Sequence, residues 1–482
     1  MTPTRPEAGS GGLAADQFEV AALPGALEAR LAEGSRFSAL LATGEAGGPA
    51  TLRVVVGSGG RFQVLESRLA PGQSSFPTLT GVAPAAGWYE REIHDRFGLE
   101  PEGHPQVEPV VPRAAGEGLF TIPYGPVRSG VFEAIEYVVE TYGEDIPALQ
   151  TRVHYKHRGI AQRFSTLGLD DAVLLSERVE GICSVAHASA FCQAVEELAD
   201  HQVEVPRRAQ LLRVAHGELE RVAVHLDSMI RHCEGAGQAV AFARLSTHKE
   251  RVLRLRAQLC GHRFGRGVVV PGGVSGPPAV PPRAALGTLS GIERALRADL
   301  DALMATPSFL DRLRGTGPLD TALAAAHGAL GPIGRAAGTG PDLRAERPYG
   351  GYRWLGFATA QAHISDALGR QQVRVQEVHQ SFHLVRQALD ELAEDDQEGA
   401  GPDGWRVPVT LGEGVALGAV EAPQGELLYL VEAAGGRLAG VSPRTASFHN
   451  LALFPAAFQG DIFTDFVFIE ASFGLSFAGV AG

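Results

Sequence analysis

The segment Cys183–Ala199 constrains the fold more than any other part of the chain, because small and apolar residues occupy nearly every face of the helix it would form. A helix that is apolar all round has to be buried among other elements, so this segment predicts the centre of a large helical core. Its neighbours are predicted from further segments with helical spacing, at Arg207–His232, Thr247–His262, Pro282–Leu303 and His363–Leu392.

The two ends of the chain show strand-like patterns instead. A helix-like segment after Asp16 precedes two strand-like runs, Thr51–Val56 and Arg61–Glu66, which a glycine-rich loop joins as a hairpin. Strand-like runs return near the C-terminus at Val415–Val420, Glu426–Val431, Arg437–Val441 and Phe466–Ile469. We therefore predict an α+β protein with a disordered tail at 1–15, a small N-terminal α/β domain at 16–112, and a large helical-core domain with peripheral β-strands at 113–482.

Composition excludes several classes of function. The net charge of −13 argues against general binding of nucleic acid, which needs a basic surface. The one membrane-like segment, 463–482, is glycine-rich and carries Asp465 and Glu470, so it predicts a buried strand and no membrane span. The N-terminus lacks the apolar stretch of a signal peptide. The cysteines form no CxxC pair and are too sparse for a disulfide scaffold, which favours a reducing compartment; they are Cys183, Cys192, Cys233 and Cys260.

A densely charged segment, Trp88–Gly98, precedes the turn Gly103–Pro105. Alternating charge of this kind by itself predicts a solvated helix face. The order ERExxDxFG followed by GHP resembles the small soluble subunit of respiratory complex I, and the same segment occurs at the front of the large subunit of formate hydrogenlyase. The resemblance implies an element that docks onto neighbouring subunits and has no catalytic role.

A second motif combines Tyr155–Gly159 with Glu177–His187. Cys183 and His187 stand four residues apart and would share a helix face, where such a pair is more often core packing than a metal site. The segment resembles the N-terminal metal motif of nickel–iron hydrogenase large subunits, RxCGxCxxxH. Here the second cysteine is kept and Glu180 replaces the first.

The resemblance continues to the C-terminus through family patterns at Gln193–Glu196, Val205–Gln210, Glu218–Arg221, Pro271–Gly273, Arg347–Gly350, Asp366–Arg370 and Glu421–Gly425. The chain is similar to a fusion of two neighbouring soluble subunits of complex I, and equally to the large subunit of energy-converting hydrogenases such as formate hydrogenlyase. Hydrogenases need a C-terminal DPCxxC for two further thiolates, but the matching tail, Ile469–Ala478, contains no cysteine. The resemblance therefore implies no nickel–iron centre, and we assign no metal site.

In complex I the former metal cavity carries an acid at the place of the first cysteine and receives the quinone headgroup. By that resemblance, the candidate catalytic residues are Glu180, Cys183, His187 and Arg178, with Glu180 passing protons on a redox event. The candidate residues for binding a cofactor, for which a quinone is the candidate, are Arg128, His157 and Arg158. Two features of a quinone site are missing: Gly125–Gly130 lacks the histidine of the early loop, and Gly181 stands at the place of the quinone-binding tyrosine.

Helical charges outside these motifs have two interpretations. Glu220 and Arg221 match a family pattern in a helix beside the cavity and are candidates for a proton path, although solvated faces explain such charges more often. Residues Asp366, Arg370, Arg374 and Glu377 stand three or four apart, which predicts ion pairs within and between helices.

The resemblance also implies partners. Electrons would arrive from an iron–sulfur cluster in a small partner subunit, because this chain has no cysteine set for a cluster of its own. Antiporter-like and anchor subunits, together with a ferredoxin-like subunit, would hold the chain on the cytoplasmic face of the cell membrane. Nicotinamide binding is attributed to the family, but the chain has no GxGxxG fingerprint. Three hypotheses follow: a nickel-free oxidoreductase subunit, an active formate-linked hydrogenase, and a non-catalytic scaffold.

Overall fold

The computed structural model describes residues 15–44, 50–70, 72–105, 120–128, 133–395 and 404–482. The helices are α1 Leu23–Ala32, α2 Ala86–Phe97, α3 Ile160–Phe164, α4 Leu169–Ser176, α5 Ser184–Glu197, α6 Arg207–Gly235, α7 Ala239–Cys260, α8 Pro282–Met304, α9 Pro307–Leu313, α10 Thr321–His327, α11 Gly331–Ala336, α12 Leu343–Glu346, α13 Ala367–Asp395, α14 Ala446–Leu451, α15 Phe466–Phe473 and α16 Phe477–Ala481. The strands are β1 Ala15–Gln17, β2 Arg36–Gly44, β3 Ala50–Ser58, β4 Arg61–Arg68, β5 Ser75–Pro77, β6 Glu100–Glu102, β7 Phe120–Tyr124, β8 Glu136–Thr141, β9 Ala148–Arg152, β10 Val269–Val270, β11 Gly273–Val274, β12 Gly414–Ala422, β13 Gly425–Ala434 and β14 Arg437–Arg444.

The N-terminal part is built on a four-stranded sheet in the order β1-β4-β3-β2. The predicted hairpin is confirmed, with β3 and β4 antiparallel and Ser58 paired with Arg61 across the turn. Strand β2 was not predicted. The predicted tail lies outside the described residues except for Ala15, which begins β1. The predicted domain boundary at residue 112 also lies outside the described residues and stays a prediction.

Helix α2 shows that the charged motif is only partly a solvated face. Glu90 is fully buried, and its carboxylate accepts hydrogen bonds from the Thr78 hydroxyl at 2.6 Å, the Thr80 hydroxyl at 2.9 Å and the Leu79 amide. The prediction of a solvated face is therefore wrong for Glu90, which ties α2 to the preceding loop. The docking role implied by the resemblance stays a prediction.

The helical core forms around α5 as predicted. Helix α5 is buried on almost every face, and one side lies against β12 and β13 of the sheet β12-β13-β14. Gly418 of β12 permits this close approach, because an added Cβ would lie 2.9 Å from the carbonyl carbon of Ala190 and closer still to its oxygen. Helices α6 and α13 pack along each other, with α7 and α8 beside them. The α+β class is confirmed.

The apolar tail folds differently from the prediction. Phe466–Ile469 was expected to be a strand and instead opens helix α15, which ends at Gly474 with a left-handed φ of 61°. Helix α16 follows after Ser476, whose hydroxyl caps its first turn by accepting the Gly479 amide. A short apolar run that is buried on all sides has no period that distinguishes helix from strand, which is why the sequence pattern misled.

Buried charges join α6, α13 and β12. Glu377 of α13 accepts a hydrogen bond from Arg335 at 2.6 Å and lies 2.7 Å from Nε2 of His225 on α6. Burial alone would raise the pKa of Glu377, but Arg335 and His225 hold it well below its ordinary value. Glu218 of α6 lies 3.1 Å from Arg344. Each of these carboxylates is ionised and paired, so the predicted pairing between helices is confirmed for Glu377.

Two arginines of α13 bind carbonyl groups instead of the carboxylates predicted for them. Arg370 donates to the carbonyl oxygen of Gly317 at 2.8 Å, and Arg374 donates to that of Phe473 at 3.2 Å. Burial lowers the pKa of Arg370 to about 9 and that of Arg374 to about 10, with the neighbouring arginine adding to the shift of Arg370. These contacts fix the apolar tail onto α13.

A buried ion triad joins the N-terminal sheet to the helical domain. Glu426 of β13 lies between Arg36 of β2 and Arg444 of β14, and both guanidiniums bond to its carboxylate. Burial opposes ionisation, but the two arginines lower the pKa of Glu426 to about 2. Because the pKa is lowered, the stabilisation is present above the ordinary glutamate pKa and is lost as the pH falls toward 2.

We predict that Glu426→Gln lowers the free energy of unfolding by about 3 kcal/mol at pH 7, since one buried charge of the triad is lost. The melting temperature of the variant should fall well below that of the wild type at pH 7, and the difference should shrink as the pH falls from 4 to 2. Circular dichroism melts check this. Glu250→Gln, at an exposed pair on α7, is the control. Equal melting of Glu426→Gln and wild type at pH 7 would contradict the prediction.

Candidate functional site

The N-terminus of α5 holds the centre of the candidate site. Glu220 of α6 accepts the amides of Val185 and Ala186 at 2.8 and 2.9 Å, which satisfies two donors that a helix start leaves open. Arg256 lies 3.5 Å from the same carboxylate. Glu220 thus anchors α5, and its suggested part in a proton path stays a prediction. With α5 fixed, Cys183 and His187 face the same buried region.

Three of the predicted residues come together there. The Glu180 carboxylate is buried and lies 3.7 Å from Nε2 of His187, whose Nδ1 is hydrogen-bonded to the Tyr429 hydroxyl at 2.7 Å. The Cys183 thiol donates to Oε1 of Gln424 at 3.0 Å. Burial raises the pKa of this thiol well above its ordinary value, and the charges of Glu180 and Glu220 raise it further. Cys183 is therefore a neutral thiol beside an acid and a histidine.

Arg178 does not join this group. Its guanidinium bonds to the carbonyl oxygen of Leu174, lies 3.6 Å from Glu177 and is about half exposed, at 49%. The expectation of Arg178 beside the Glu180 carboxylate is wrong, because the turn before Cys183 directs the two side chains to different sides. A catalytic role for Arg178 has no geometric support here.

The predicted cofactor-binding residues all bind protein groups. Arg128 forms a bidentate pair with Glu470 at 2.6 and 3.1 Å. His157 lies 2.7 Å from the carbonyl oxygen of Ala481, and Arg158 donates to those of Arg178, Val179 and Ala478 at 2.8–3.0 Å. Arg158 therefore clamps the residues before Glu180 to the C-terminal helix α16. Binding of a quinone by these three residues stays a prediction.

Sequence reasoning missed four residues that complete the site: Glu133, Gln424, Tyr429 and Gly479. Gln424 lies in the pattern Glu421–Gly425 that carried the resemblance, so its place could have been noticed. Tyr429 follows it by five residues and reaches the site only because β13 runs beside α5. Glu133 and Gly479 belong to no pattern, and only the packing of the tail brings them to Glu180.

Two cavities lie near the site. One has a volume of 30 Å³, borders Gln424, His225 and Leu475, and has room for about one water molecule. The other is a cleft of 670 Å³ between α5, α6 and 347–354, which reaches Val185 and Ala186 from the far side of α5. A quinone headgroup does not fit the smaller cavity beside Cys183.

The donor set does not fit a nickel–iron pair. Cys183 is the one thiol beside Glu180 and His187, whereas such a pair is held by soft thiolates. Within the ranges that the structure describes, no group of three His, Cys, Asp or Glu side chains is arranged to hold a metal ion.

Comparison with known proteins identifies the family. Residues 236–403 match the family described as respiratory-chain NADH dehydrogenase, 49 Kd subunit, and residues 56–119 match that of the 30 Kd subunit. The chain is 32% identical over 318 residues to the carbon monoxide-induced hydrogenase of Rhodospirillum rubrum, covering 66% of this chain and 86% of that protein. The chain belongs to the family of hydrogenase large subunits and complex I 49 Kd subunits.

Further members of the family confirm both halves of the predicted resemblance. Identity is 28% to formate hydrogenlyase subunit 5 of Escherichia coli, covering 73% of this chain and 67% of that protein. It is 29% to an NADH-quinone oxidoreductase subunit of Saccharopolyspora erythraea, covering 77% and 91%. The chain is thus an oxidoreductase subunit related to complex I and to hydrogenases. None of the helices in the described parts of the chain has the length and apolar character needed to cross a membrane.

We predict that Cys183 resists alkylation in the native protein. Burial of the thiol and its raised pKa keep it protonated and inaccessible, whereas Cys260 is only half-buried and should react first. Iodoacetamide labelling at pH 8 followed by peptide mass spectrometry measures the order. In denaturant all four cysteines should react at similar rates. Native labelling of Cys183 as fast as Cys260 would contradict the packing around Glu180.

Proposed function

We propose that the chain is the nickel-free large subunit of a membrane-attached oxidoreductase, which passes electrons from an iron–sulfur cluster in a partner subunit to an acceptor, with a quinone as the candidate. The observation that carries this proposal is the buried Glu180 carboxylate, 3.7 Å from His187, at the place where hydrogenases have their first metal-binding cysteine. An acid and a histidine in contact can move protons, and one protonated thiol cannot hold a nickel–iron pair.

The residues have distinct tasks in this proposal. A bound quinone supplies the acceptor chemistry, which consumes two electrons and two protons for each quinol formed. Glu180 releases a proton from its carboxyl group toward the acceptor, and His187 supplies the next proton across the 3.7 Å contact. Tyr429 fixes the orientation of the imidazole through its hydrogen bond to Nδ1. Gln424 holds the Cys183 thiol aside.

The acceptor would approach from the open side of the turn. Gly181 and Ile182, next to Glu180, are exposed, and a Cβ added to Gly181 would meet nothing within 4 Å. The 30 Å³ cavity on the other side is too small for a quinone headgroup. We propose that the iron–sulfur partner packs over this edge and completes the acceptor site there.

Attachment to the membrane would depend on partners. The relatives include subunits of hydrogenases and of NADH-quinone oxidoreductase, and one is named a membrane-bound hydrogenase subunit. By analogy, we propose antiporter-like and anchor subunits, with a ferredoxin-like subunit, that hold the chain on the cytoplasmic face of the cell membrane.

We predict that Glu180→Gln lowers quinone-dependent turnover of the purified complex at least tenfold, because the amide cannot carry the proton. Glu250→Gln, at the exposed pair on α7, removes a carboxylate far from the site and should leave the rate unchanged. The complex should also contain no stoichiometric nickel when purified from nickel-replete cells and measured by plasma mass spectrometry.

The alternatives give different results in the same experiments. Stoichiometric nickel together with hydrogen evolution would establish an active hydrogenase and overturn the proposal. Unchanged turnover in Glu180→Gln would remove Glu180 from the mechanism. If Ala variants of Glu180, Cys183 and His187 all retained wild-type turnover, the chain would be a scaffold without a catalytic role.

A further inference from the structure

We propose that Gly479 is a positioning residue for Glu180: its missing side chain provides the space in which the carboxylate lies against His187. This inference rests on the proposed function and deepens it, since it names a second residue on which the proton-carrying group depends. It also assigns a task to the C-terminal helix α16, for which the sequence indicated none.

The space at Gly479 is specific to Glu180. A Cβ built on Gly479 would lie 2.6 Å from Cδ and 2.7 Å from Cγ of Glu180, and closer still to one carboxylate oxygen. Separations below 3.0 Å cannot be kept, so one of the two groups would have to move. Gly479 lies inside α16 and has no left-handed φ. Its backbone therefore suits any residue, and the requirement for glycine comes from space alone.

The backbone around Gly479 is held too firmly to move. Glu133 accepts the Ser476 hydroxyl at 3.1 Å, the Ala478 amide at 3.2 Å and the Phe477 amide. The carbonyl oxygen of Gly479 accepts the Thr445 hydroxyl at 3.2 Å. With donors and acceptors bonded on both sides of Gly479, an added side chain would displace the Glu180 carboxylate and leave the helix in place.

The other side of the space is held by the same groups. Arg158 donates to the carbonyl oxygen of Ala478 and also to those of Arg178 and Val179, the two residues before Glu180. One guanidinium thus sets the distance between the backbone of Glu180 and that of α16. The carboxylate is confined between Gly479 and the imidazole of His187, which keeps their 3.7 Å contact.

We predict that Gly479→Ala in the intact complex lowers quinone-dependent turnover at least tenfold, about as much as Glu180→Gln. The matched control is Gly291→Ala on the exposed face of α8, where an added Cβ meets nothing within 4 Å and turnover should stay unchanged. A shorter acid should compensate. Glu180→Asp combined with Gly479→Ala should recover at least threefold relative to Gly479→Ala alone, because aspartate withdraws the carboxylate by one methylene.

A structural readout separates this inference from the proposed function. Infrared difference spectra of wild type and Glu180→Gln identify the carboxyl band of Glu180, and Gly479→Ala should shift that band while the partner subunits still co-purify. An unshifted band in Gly479→Ala would overturn the inference whatever the turnover. A shifted band with unchanged turnover in Glu180→Gln would support the positioning by Gly479 and overturn the proposed function. If Gly479→Ala fails to assemble, the double variant with Glu180→Asp must restore assembly, or the inference fails.

Discussion

The pairing of buried carboxylates with buried guanidiniums is the constraint on which the helical domain depends. An unpaired charge in such a core costs several kcal/mol, so the contacts of Glu377 and Glu218 with their arginines fix how α6, α13 and β12 meet. The same helix α6 supplies Glu220 to the first amides of α5. The position of the candidate site therefore follows from charge pairing in the core as much as from apolar packing.

The replacement of a cysteine by Glu180 changes the chemistry that this scaffold can perform. A hydrogenase uses soft thiolates to hold its metals, whereas here one thiol remains, protonated and hydrogen-bonded to Gln424. The carboxylate of Glu180 lies against a glycine of the tail, in the segment where the related enzymes carry their C-terminal cysteines. Space once available for a ligand is thus occupied by the acid itself, which favours proton transfer over metal binding.

Much of the fold was predictable because the period of apolar residues reports the element they build. The all-round apolar pattern of Cys183–Ala199 correctly predicted a central helix, and alternation predicted the hairpin of β3 and β4. The tail was mispredicted since its residues are buried on every side and carry no period. Arg178 was placed wrongly because adjacency in a motif does not determine which side of a turn a side chain takes.

The sequence by itself determined the family, the α+β class, and the group formed by Glu180, Cys183 and His187, since motif spacing along one helix start is a local property. Tertiary structure alone decided what surrounds that group: Tyr429 on His187, Gln424 on Cys183, and Gly479 against Glu180. These contacts join residues more than 200 positions apart in the chain. Such proximity depends on how the sheet and the C-terminal helices pack on α5, and no local pattern encodes it.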